Sequence, residues 1–333
     1  GLNGISHRFH QHFRARPSHP ATPRPVLLNT WEAVYFDHQL DTLTQLADRA
    51  ARIGVERFVL DDGWFHGRRH DGAGLGDWWV DPDVWPDGLT PLIDHVTNLG
   101  MSFGLWVEPE MVNPDSDLYR AHPDWALTTP GYEPVLGRNQ LVLDLSRPEV
   151  VEYLHQQLVQ LLANNNIAYL KWDMNRELCQ PSHQGRASVR AQVQALYRLL
   201  DELRRQFPAV EIESCASGGG RIDAEILART DRFWTSDCND ALDRQRIQRG
   251  ASHLFPPELM GAHIGPPTSH TTGRTHTLAF RAATALFGHL GLEWNLLTCS
   301  EAELDQLSAI VATHKRFRPL LHGGTVHRLD HAD

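Results

Sequence analysis

Residues 169–175 read YLKWDMN, a short aromatic and apolar run that ends abruptly in charged side chains. Successive side chains of a β-strand point to opposite faces, so we expect Lys171 and Asp173 on one face of a strand and Trp172 on the other. The apolar run behind them is expected to be buried. We interpret the two charged residues as groups placed at a strand end for chemistry.

The same pattern, an apolar run that ends in polar residues and precedes an amphipathic stretch, recurs at intervals of roughly 30 to 40 residues, as in consecutive βα units. The predicted strands are 26–31, 57–62, 102–108, 140–144, 167–173, 210–214, 232–237 and 258–262. Helical spacing of apolar residues predicts helices between them, among others at 39–53, 148–163, 189–206 and 274–289. Eight strands alternating with helices predict an α/β fold, the (β/α)8 TIM barrel. A doubly wound sheet would more often have a glycine-rich phosphate turn after its first strand, and residues 29–36, NTWEAVYF, contain none.

The length of 333 residues and the hydrophobic content of 41% allow a single large domain of this kind. We expect residues 1–25 to be a segment left from an upstream module, and 26–298 to be the catalytic barrel. Residues 299–333 are expected to hold a terminal helix and the start of a truncated C-terminal β module. Because the chain begins at Gly1 and not at methionine, we expect it to be a fragment or an excised domain.

The charge balance excludes some classes of partner. A formal net charge of -10, from 31 basic and 41 acidic residues, argues against nucleic acid or an acidic membrane surface. No apolar run approaches the ~20 residues needed to cross a bilayer. The four cysteines are irregularly spaced, which indicates neither a disulfide framework nor a zinc ribbon. The expected compartment is reducing and the expected location is cytoplasmic.

Most of the predicted strands end at an acid, and tryptophans lie near the same ends. The acids are Asp61, Asp62, Glu108, Asp144, Asp173 and Asp237, and the tryptophans are Trp31, Trp64, Trp106, Trp172 and Trp234. Each acid alone could simply cap the following helix. In a (β/α)8 barrel, however, the carboxyl ends of the strands build the active site, so we expect the acids to converge. A sugar pocket needs carboxylates that accept hydrogen bonds from hydroxyl groups and indoles that cover the apolar C–H faces of the sugar. The loop 63–90, dense in glycine and tryptophan, is predicted to be a binding loop.

Two of these acids suit glycosidic bond cleavage, which requires two carboxyl groups. The charge of Lys171 would keep Asp173 ionised and fit for nucleophilic attack. Asp237 follows about two βα units later and is the candidate for the acid. The adjacent Asp61 and Asp62, with Lys171, could hold two neighbouring hydroxyls of the sugar.

Seven strings together resemble a known family: NTWEAVYFD, FVLDDGWF, GLGDWWVDPDVWPDGL, GLWVEPEMVN, YLKWDMN, ESCASGGGRID and FWTSDCNDALDR. In this order they resemble glycoside hydrolase family 36, the bacterial and fungal retaining α-galactosidases, from about residue 28 to residue 295. The resemblance implies a (β/α)8 catalytic barrel that cleaves terminal α-D-galactosyl residues from melibiose- and raffinose-type oligosaccharides. It implies a double displacement through a covalent galactosyl-enzyme, with no metal and no cofactor.

The resemblance also implies roles for individual residues. The family's nucleophile falls on Asp173 and its acid/base on Asp237. Asp61 and Asp62 fall on the residues that bind the galactose 4- and 6-hydroxyls, and Lys171 on a contact near the 3- and 4-hydroxyls. The further implied binding residues are Trp31, Trp106, Arg138, Cys215, Gly218 and Trp234.

Members of the family normally carry a β-sandwich domain before the barrel and a smaller β domain after it, and this chain has neither in full. The upstream domain often contributes to the pocket rim and to tetramer formation. A homo-oligomer is therefore an expectation for the full-length protein, and the assembly of this chain stays open.

Several alternatives remain at this point. On the same scaffold these are an α-N-acetylgalactosaminidase, against which Cys215 near the 2-hydroxyl argues, and a galactosyl transferase. Outside this chemistry they are a metal-dependent barrel enzyme and a galactoside-binding fragment without turnover. The metal enzyme would use Asp61, Glu108, Asp144 and Asp173 as ligands.

Overall fold

Eight short buried strands form one closed parallel barrel in the computed structural model, which describes residues 1–329. The strands are β1 (Leu27–Asn29), β2 (Arg57–Leu60), β3 (Ser102–Val107), β4 (Tyr169–Trp172), β5 (Glu211–Ser214), β6 (Arg232–Trp234), β7 (Met260–Ile264) and β8 (His289–Leu292). They neighbour each other in chain order, and β8 pairs with β1 through Leu292 and Leu28, which closes the barrel. The predicted (β/α)8 fold is confirmed.

Helices surround the barrel, and each of them except the short Trp31–Val34 has buried residues. Their bounds are Leu2–Arg14, Trp31–Val34, Leu40–Arg52, Thr90–Asn98, Asp117–Ala121, Pro148–Asn164, Val189–Gln206, Ala241–Ala251, Leu278–Ala285 and Glu301–Gly323. Four 3-10 turns, Pro123–Trp125, Ile226–Ala228, Pro257–Leu259 and Leu296–Thr298, complete the connections. In Leu40–Arg52 the buried residues Leu43, Leu46, Ala47 and Ala50 follow the helical repeat. The last helix begins with a capping box, in which Ser300 and Glu303 each bond the backbone N–H of the other.

One predicted barrel strand is wrong, and one barrel strand was not predicted. In the stretch 140–144 only Leu141–Val142 forms a strand, and it pairs antiparallel with Met111–Val112 outside the barrel. The predicted helix 274–289 is shorter in the structure, Leu278–Ala285. The residues that follow it form β8, the strand that closes the barrel, which was not predicted. The sequence of β8, HLGL, carries a weak strand signal because it is short and contains a glycine. Asp173 therefore follows the fourth barrel strand and Asp237 the sixth, and they remain two βα units apart.

Large polar side chains fill part of the barrel interior. Arg57 lies 2.7 Å from Glu211, and Arg232 pairs with Glu213, which also accepts a hydrogen bond from Tyr169 at 2.7 Å. Arg57, Arg232 and Glu213 are buried and Glu211 is partly buried. Each charge has a partner of opposite sign, which offsets its desolvation.

Glycines on neighbouring strands provide the space for these side chains. A Cβ atom on Gly104 would lie 2.9 Å from the Tyr169 ring, and one on Gly291 would lie 2.6 Å from Nε2 of His263. These separations are too short for a side chain, so the glycines are required by their neighbours. The glycine that weakens the sequence signal of β8 is thus the one that makes room for His263.

Both terminal segments pack on the barrel. The helix Leu2–Arg14 buries Phe13 against Phe255, with ring centroids 5.2 Å apart, and Arg14 donates to both carboxylate oxygens of Glu258. The helix Glu301–Gly323 follows β8 and buries four of its residues, as the last helix of a βα unit does. Residues 330–333, the end of the predicted terminal segment, lie outside the described residues. The domain boundaries of the sequence analysis remain predictions.

The cysteines and the helices bear on the expectations for disulfides and membrane spans. All four cysteines, Cys179, Cys215, Cys238 and Cys299, are free thiols. Over residues 1–329, none of the helices combines the length and the apolar character needed to span a bilayer.

Replacing Gly291 by alanine is expected to destabilise the barrel by about 1–3 kcal/mol, because the added methyl group would overlap the buried His263 ring. Urea unfolding followed by circular dichroism measures the change. The matched control is Gly250→Ala in the helix Ala241–Ala251, where an added Cβ meets nothing within 4 Å; alanine there is expected to be neutral or stabilising. Equal stability of Gly291→Ala and wild type would contradict the packing argument.

Candidate active site

A cavity of about 270 Å³ opens at the carboxyl ends of the barrel strands. It is lined by Trp31, Glu32, Phe36, Asp61, Asp62, Arg68, Asp71, Trp106, Arg138, Lys171, Asp173, Asn175, Trp234, Asp237, His270 and Glu293. Carboxyl groups and aromatic rings dominate this lining. The cavity therefore has the composition expected of a site for a neutral, polyhydroxylated ligand.

The structure brings together all the predicted site residues except Cys215 and Gly218. Lys171 and Asp173 face the cavity, whereas Trp172 points the other way and donates to Glu110 at 3.0 Å. The alternation expected of YLKWD is thus what the strand shows. Of the five tryptophans near strand ends, Trp64 and Trp172 pack in the core outside the cavity.

Asp173 is held by donors on both carboxylate oxygens. Oδ2 accepts from Trp106 Nε1 at 3.1 Å and from Asn175 Nδ2 at 2.8 Å, and Oδ1 accepts from the backbone N–H of Met174 at 2.8 Å. Burial by itself would raise the pKa of Asp173, but the charge of Lys171 and the hydrogen bonds outweigh burial and lower the pKa below its ordinary value. The carboxyl is therefore ionised and fixed in orientation.

Asp237 has the opposite electrostatic environment. Its Oδ1 accepts one hydrogen bond from Trp234 Nε1 at 3.1 Å. Burial, and after it the negative charge of Asp173, raise the pKa of Asp237 above its ordinary value. One cavity thus holds a carboxylate that favours ionisation and a carboxyl that favours its proton, as acid/base pairs do.

Lys171 connects Asp173 to the paired acids. Its Nζ donates to Asp61 Oδ2 at 2.8 Å, and the same oxygen accepts from Asn29 Nδ2 at 2.6 Å. Burial alone would lower the pKa of Lys171, but the adjacent Asp61 carboxylate raises it well above the ordinary value. Lys171 is therefore a permanent cation between two buried carboxylates.

Asp62 is paired separately, with Arg68 from the loop 63–90. Arg68 Nε donates to Oδ1 at 2.9 Å and Nη2 donates to Oδ2 at 2.8 Å, a bidentate arrangement. The same loop also contributes Asp71 to the lining. The prediction that this loop takes part in the site agrees with its position.

Cys215 and Gly218 lie behind the cavity wall. Cys215 is buried beside Asp173 and Lys171, and burial raises the pKa of its thiol well above the ordinary value. Gly218 has a φ of +83°, and a Cβ there would lie 2.7 Å from the backbone nitrogen of Asp237. Gly218 is thus a point of close backbone approach for the loop that carries Asp237, and a direct contact with sugar stays a prediction for both residues.

The two other strand-end acids do not reach the cavity. Glu108 lies behind Asp173, where burial, and after it the charge of Asp173, raise its pKa to about 8. Asp144 follows the hairpin strand Leu141–Val142 and bonds Ser146 and His183. Among residues 1–329, no group of three or more acids, histidines or cysteines has metal-binding geometry. The ligand set of the metal-enzyme alternative is not assembled.

Sequence reasoning missed several lining residues, chiefly Glu32, Phe36, Asn175, His270 and Glu293. Glu32 is in NTWEAVYFD and Asn175 in YLKWDMN, so both lay inside recognised strings. Glu293 directly follows β8, the strand that was not predicted. With β8 identified, a strand-end acid would have been predicted there.

Replacing Arg68 by methionine is expected to lower the free energy of unfolding by about 3–5 kcal/mol, because Asp62 would remain buried without its partner. Urea unfolding measures the loss. The control is Arg120→Met, which breaks only exposed pairs with Asp115 and Asp117 and is expected to change stability little. Similar small effects of both substitutions would show that the Asp62 pair is not a structural element.

The sequence pattern of the melibiase family matches residues 1–324. The chain is 54% identical over 337 residues to an alpha-galactosidase of Escherichia coli, covering 100% of this chain and 47% of that protein. It is 42% identical over 338 residues to alpha-galactosidase AgaA of Geobacillus stearothermophilus, covering 99% of this chain and 46% of that protein. The chain thus spans about half the length of these curated relatives.

Solved structures agree with the sequence comparison. The crystal structure of AgaA from Geobacillus stearothermophilus, an alpha-galactosidase of glycoside hydrolase family 36, superimposes with a TM-score of 0.96 at 41% identity, covering 100% of this chain and 48% of that one. A variant of the same enzyme in complex with raffinose gives a TM-score of 0.97 at 40% identity, with the same coverage. The chain therefore belongs to the melibiase family, glycoside hydrolase family 36.

Proposed function

We propose that this chain is the catalytic barrel of a retaining α-galactosidase that hydrolyses terminal α-D-galactosyl residues of melibiose- and raffinose-type oligosaccharides. The observation that carries the proposal is the pair of cavity carboxyls with opposite pKa shifts, lowered for Asp173 and raised for Asp237. Relatives of about twice the length are named alpha-galactosidases, and one was crystallised with raffinose, which supports the substrate class.

The proposed reaction is a double displacement. A carboxylate oxygen of Asp173 attacks the anomeric carbon, and the glycosidic C–O bond breaks as Asp237 gives its proton to the leaving oxygen. Asp237, now ionised, takes a proton from water, whose oxygen attacks the anomeric carbon. The bond to Asp173 breaks, galactose is released with its configuration retained, and both carboxyls return to their starting states.

Substrate recognition is proposed to rest on the paired acids. The ion pairs of Asp61 with Lys171 and of Asp62 with Arg68 fix both carboxyls in place and oppose the rise in pKa that burial causes. Fixed acceptors suit the 4- and 6-hydroxyls of galactose, and the Lys171 ammonium can donate to a neighbouring hydroxyl. No cofactor enters this scheme. A cytoplasmic location is part of the proposal, supported by the free thiols.

An activated 2-fluoro-galactosyl inhibitor is expected to form a stable ester with Asp173, because the fluorine slows release of the covalent intermediate. Peptide mass spectrometry locates the label. Asp173→Asn is expected to take up no label, whereas Asp144→Asn, a strand-end acid outside the cavity, is expected to be labelled like wild type. Label on any other residue would contradict the assignment of the nucleophile.

The specificity constant kcat/KM for an aryl α-galactoside is expected to show a bell-shaped dependence on pH. Activity needs Asp173 ionised, so it falls only when the pH drops below a pKa that is already lowered. It also needs Asp237 protonated, so it falls when the pH rises through a pKa that is raised. Asp237→Asn is expected to lose the alkaline limb; a variant that keeps this limb would show that another group supplies the proton.

A further inference from the structure

Two glutamates that have no part in the proposed chemistry meet at one amide donor beside Asp237. Glu32 follows β1 and Glu293 follows β8, and both line the cavity. Asn239 Nδ2 donates to Glu32 Oε1 at 2.7 Å and to Glu293 Oε2 at 3.1 Å. A single side chain thus ties the loop after β6 to the ends of two other strands.

Asn239 lies two residues after Asp237 in the same loop. Arg244 holds the base of this loop, since its guanidinium donates to the backbone carbonyls of Cys238 at 2.7 Å and Ser236 at 2.5 Å and stacks on the Trp234 ring at 4.2 Å. Asn239 holds the side that faces β1 and β8. The backbone of Asp237 is therefore fixed between two anchors.

The contacts of His263 fix the direction of its hydrogen bond to Glu293. Arg232 can only donate, so its contact of 2.7 Å with His263 Nε2 makes that nitrogen the acceptor. His263 Nδ1 then carries the hydrogen and donates to Glu293 Oε2 at 2.8 Å. Glu293 therefore accepts hydrogen bonds from both His263 and Asn239.

Glu32 has the environment of a protonated acid. Its Oε2 is buried and has no hydrogen-bond partner in the part of the chain that the structure describes. Burial, and after it the charge of Glu293, raise the pKa of Glu32 to about 8, although the hydrogen bond from Asn239 and the charges of Arg244 and Lys171 lower it. The negative charge of Glu293 beside it thus opposes ionisation of the buried Glu32 carboxyl.

We propose that Asn239, Glu32 and Glu293 form a clamp that positions the acid/base carboxyl of Asp237 for proton transfer to the leaving oxygen, with Glu32 as the protonated member. The proposal rests on the function proposed above. All three are positioning residues, which act through the Asp237 loop. Proton transfer depends on placement within a fraction of an ångström, so loosening the loop affects the acid step first.

The dependence on the leaving group tests this proposal, because nitrophenolate leaves with little protonation whereas a sugar alkoxide requires it. Asn239→Ala and Glu32→Leu are expected to lower kcat/KM on raffinose by about 10²-fold, within the range for general acid catalysis. On 4-nitrophenyl α-galactoside they are expected to lower it only a few-fold. Glu32→Gln is expected to stay near wild type on both substrates, because a neutral amide keeps the acceptor for Asn239 and adds no charge.

The control is Asn295→Ala, two residues after Glu293, which removes an asparagine side chain whose Oδ1 accepts from the backbone N–H of Leu297 at 3.0 Å. It is expected to leave both rates unchanged. Equal losses on both substrates, no loss on either, or a Glu32→Gln as damaged as Glu32→Leu would each overturn the clamp. A wild-type chain that releases galactose from neither substrate would instead contradict the proposed function, and the acid role on which the clamp rests.

Discussion

The buried ion pair between Lys171 and Asp61 is the interaction on which the cavity depends. The carboxyl ends of parallel barrel strands meet at one end, so folding forces the acids of several strands into one small volume. Their mutual repulsion would oppose the fold or neutralise them by proton uptake. Lys171 offsets this repulsion twice, through its 2.8 Å contact with Asp61 and through the charge that lowers the pKa of Asp173.

The remaining carboxyls differ in the groups that lie beside them. Asp62 has its own guanidinium in Arg68, and Glu293 has donors in His263 and Asn239. Glu32 and Asp237 each lie beside another acid, and burial, and after it the charge of that neighbour, raise their pKa values. One cavity thus contains carboxyls with lowered and with raised pKa values, and the proposed attack and proton donation rest on this difference.

The cavity residues that follow β2, β4 and β6 could be predicted because strand alternation is a local property. An apolar run ending in an acid identifies Asp61, Asp173 and Asp237 without any knowledge of the partners. One strand was predicted wrongly and one was not predicted, each for a physical reason. Residues 140–144 have the pattern of a barrel strand but pair in a hairpin, and β8 lacks that pattern because Gly291 makes room for His263.

The sequence alone therefore determined the fold class, the strand-end acids and the side to which they point, since all three depend on local periodicity. The tertiary structure decided which acids share the cavity, which cation each one meets and which of them keep a proton. Those outcomes depend on distances between residues far apart in the chain, as when Asn239 joins Glu32 to Glu293. Charge interactions and burial act across space, and no pattern along the chain encodes them.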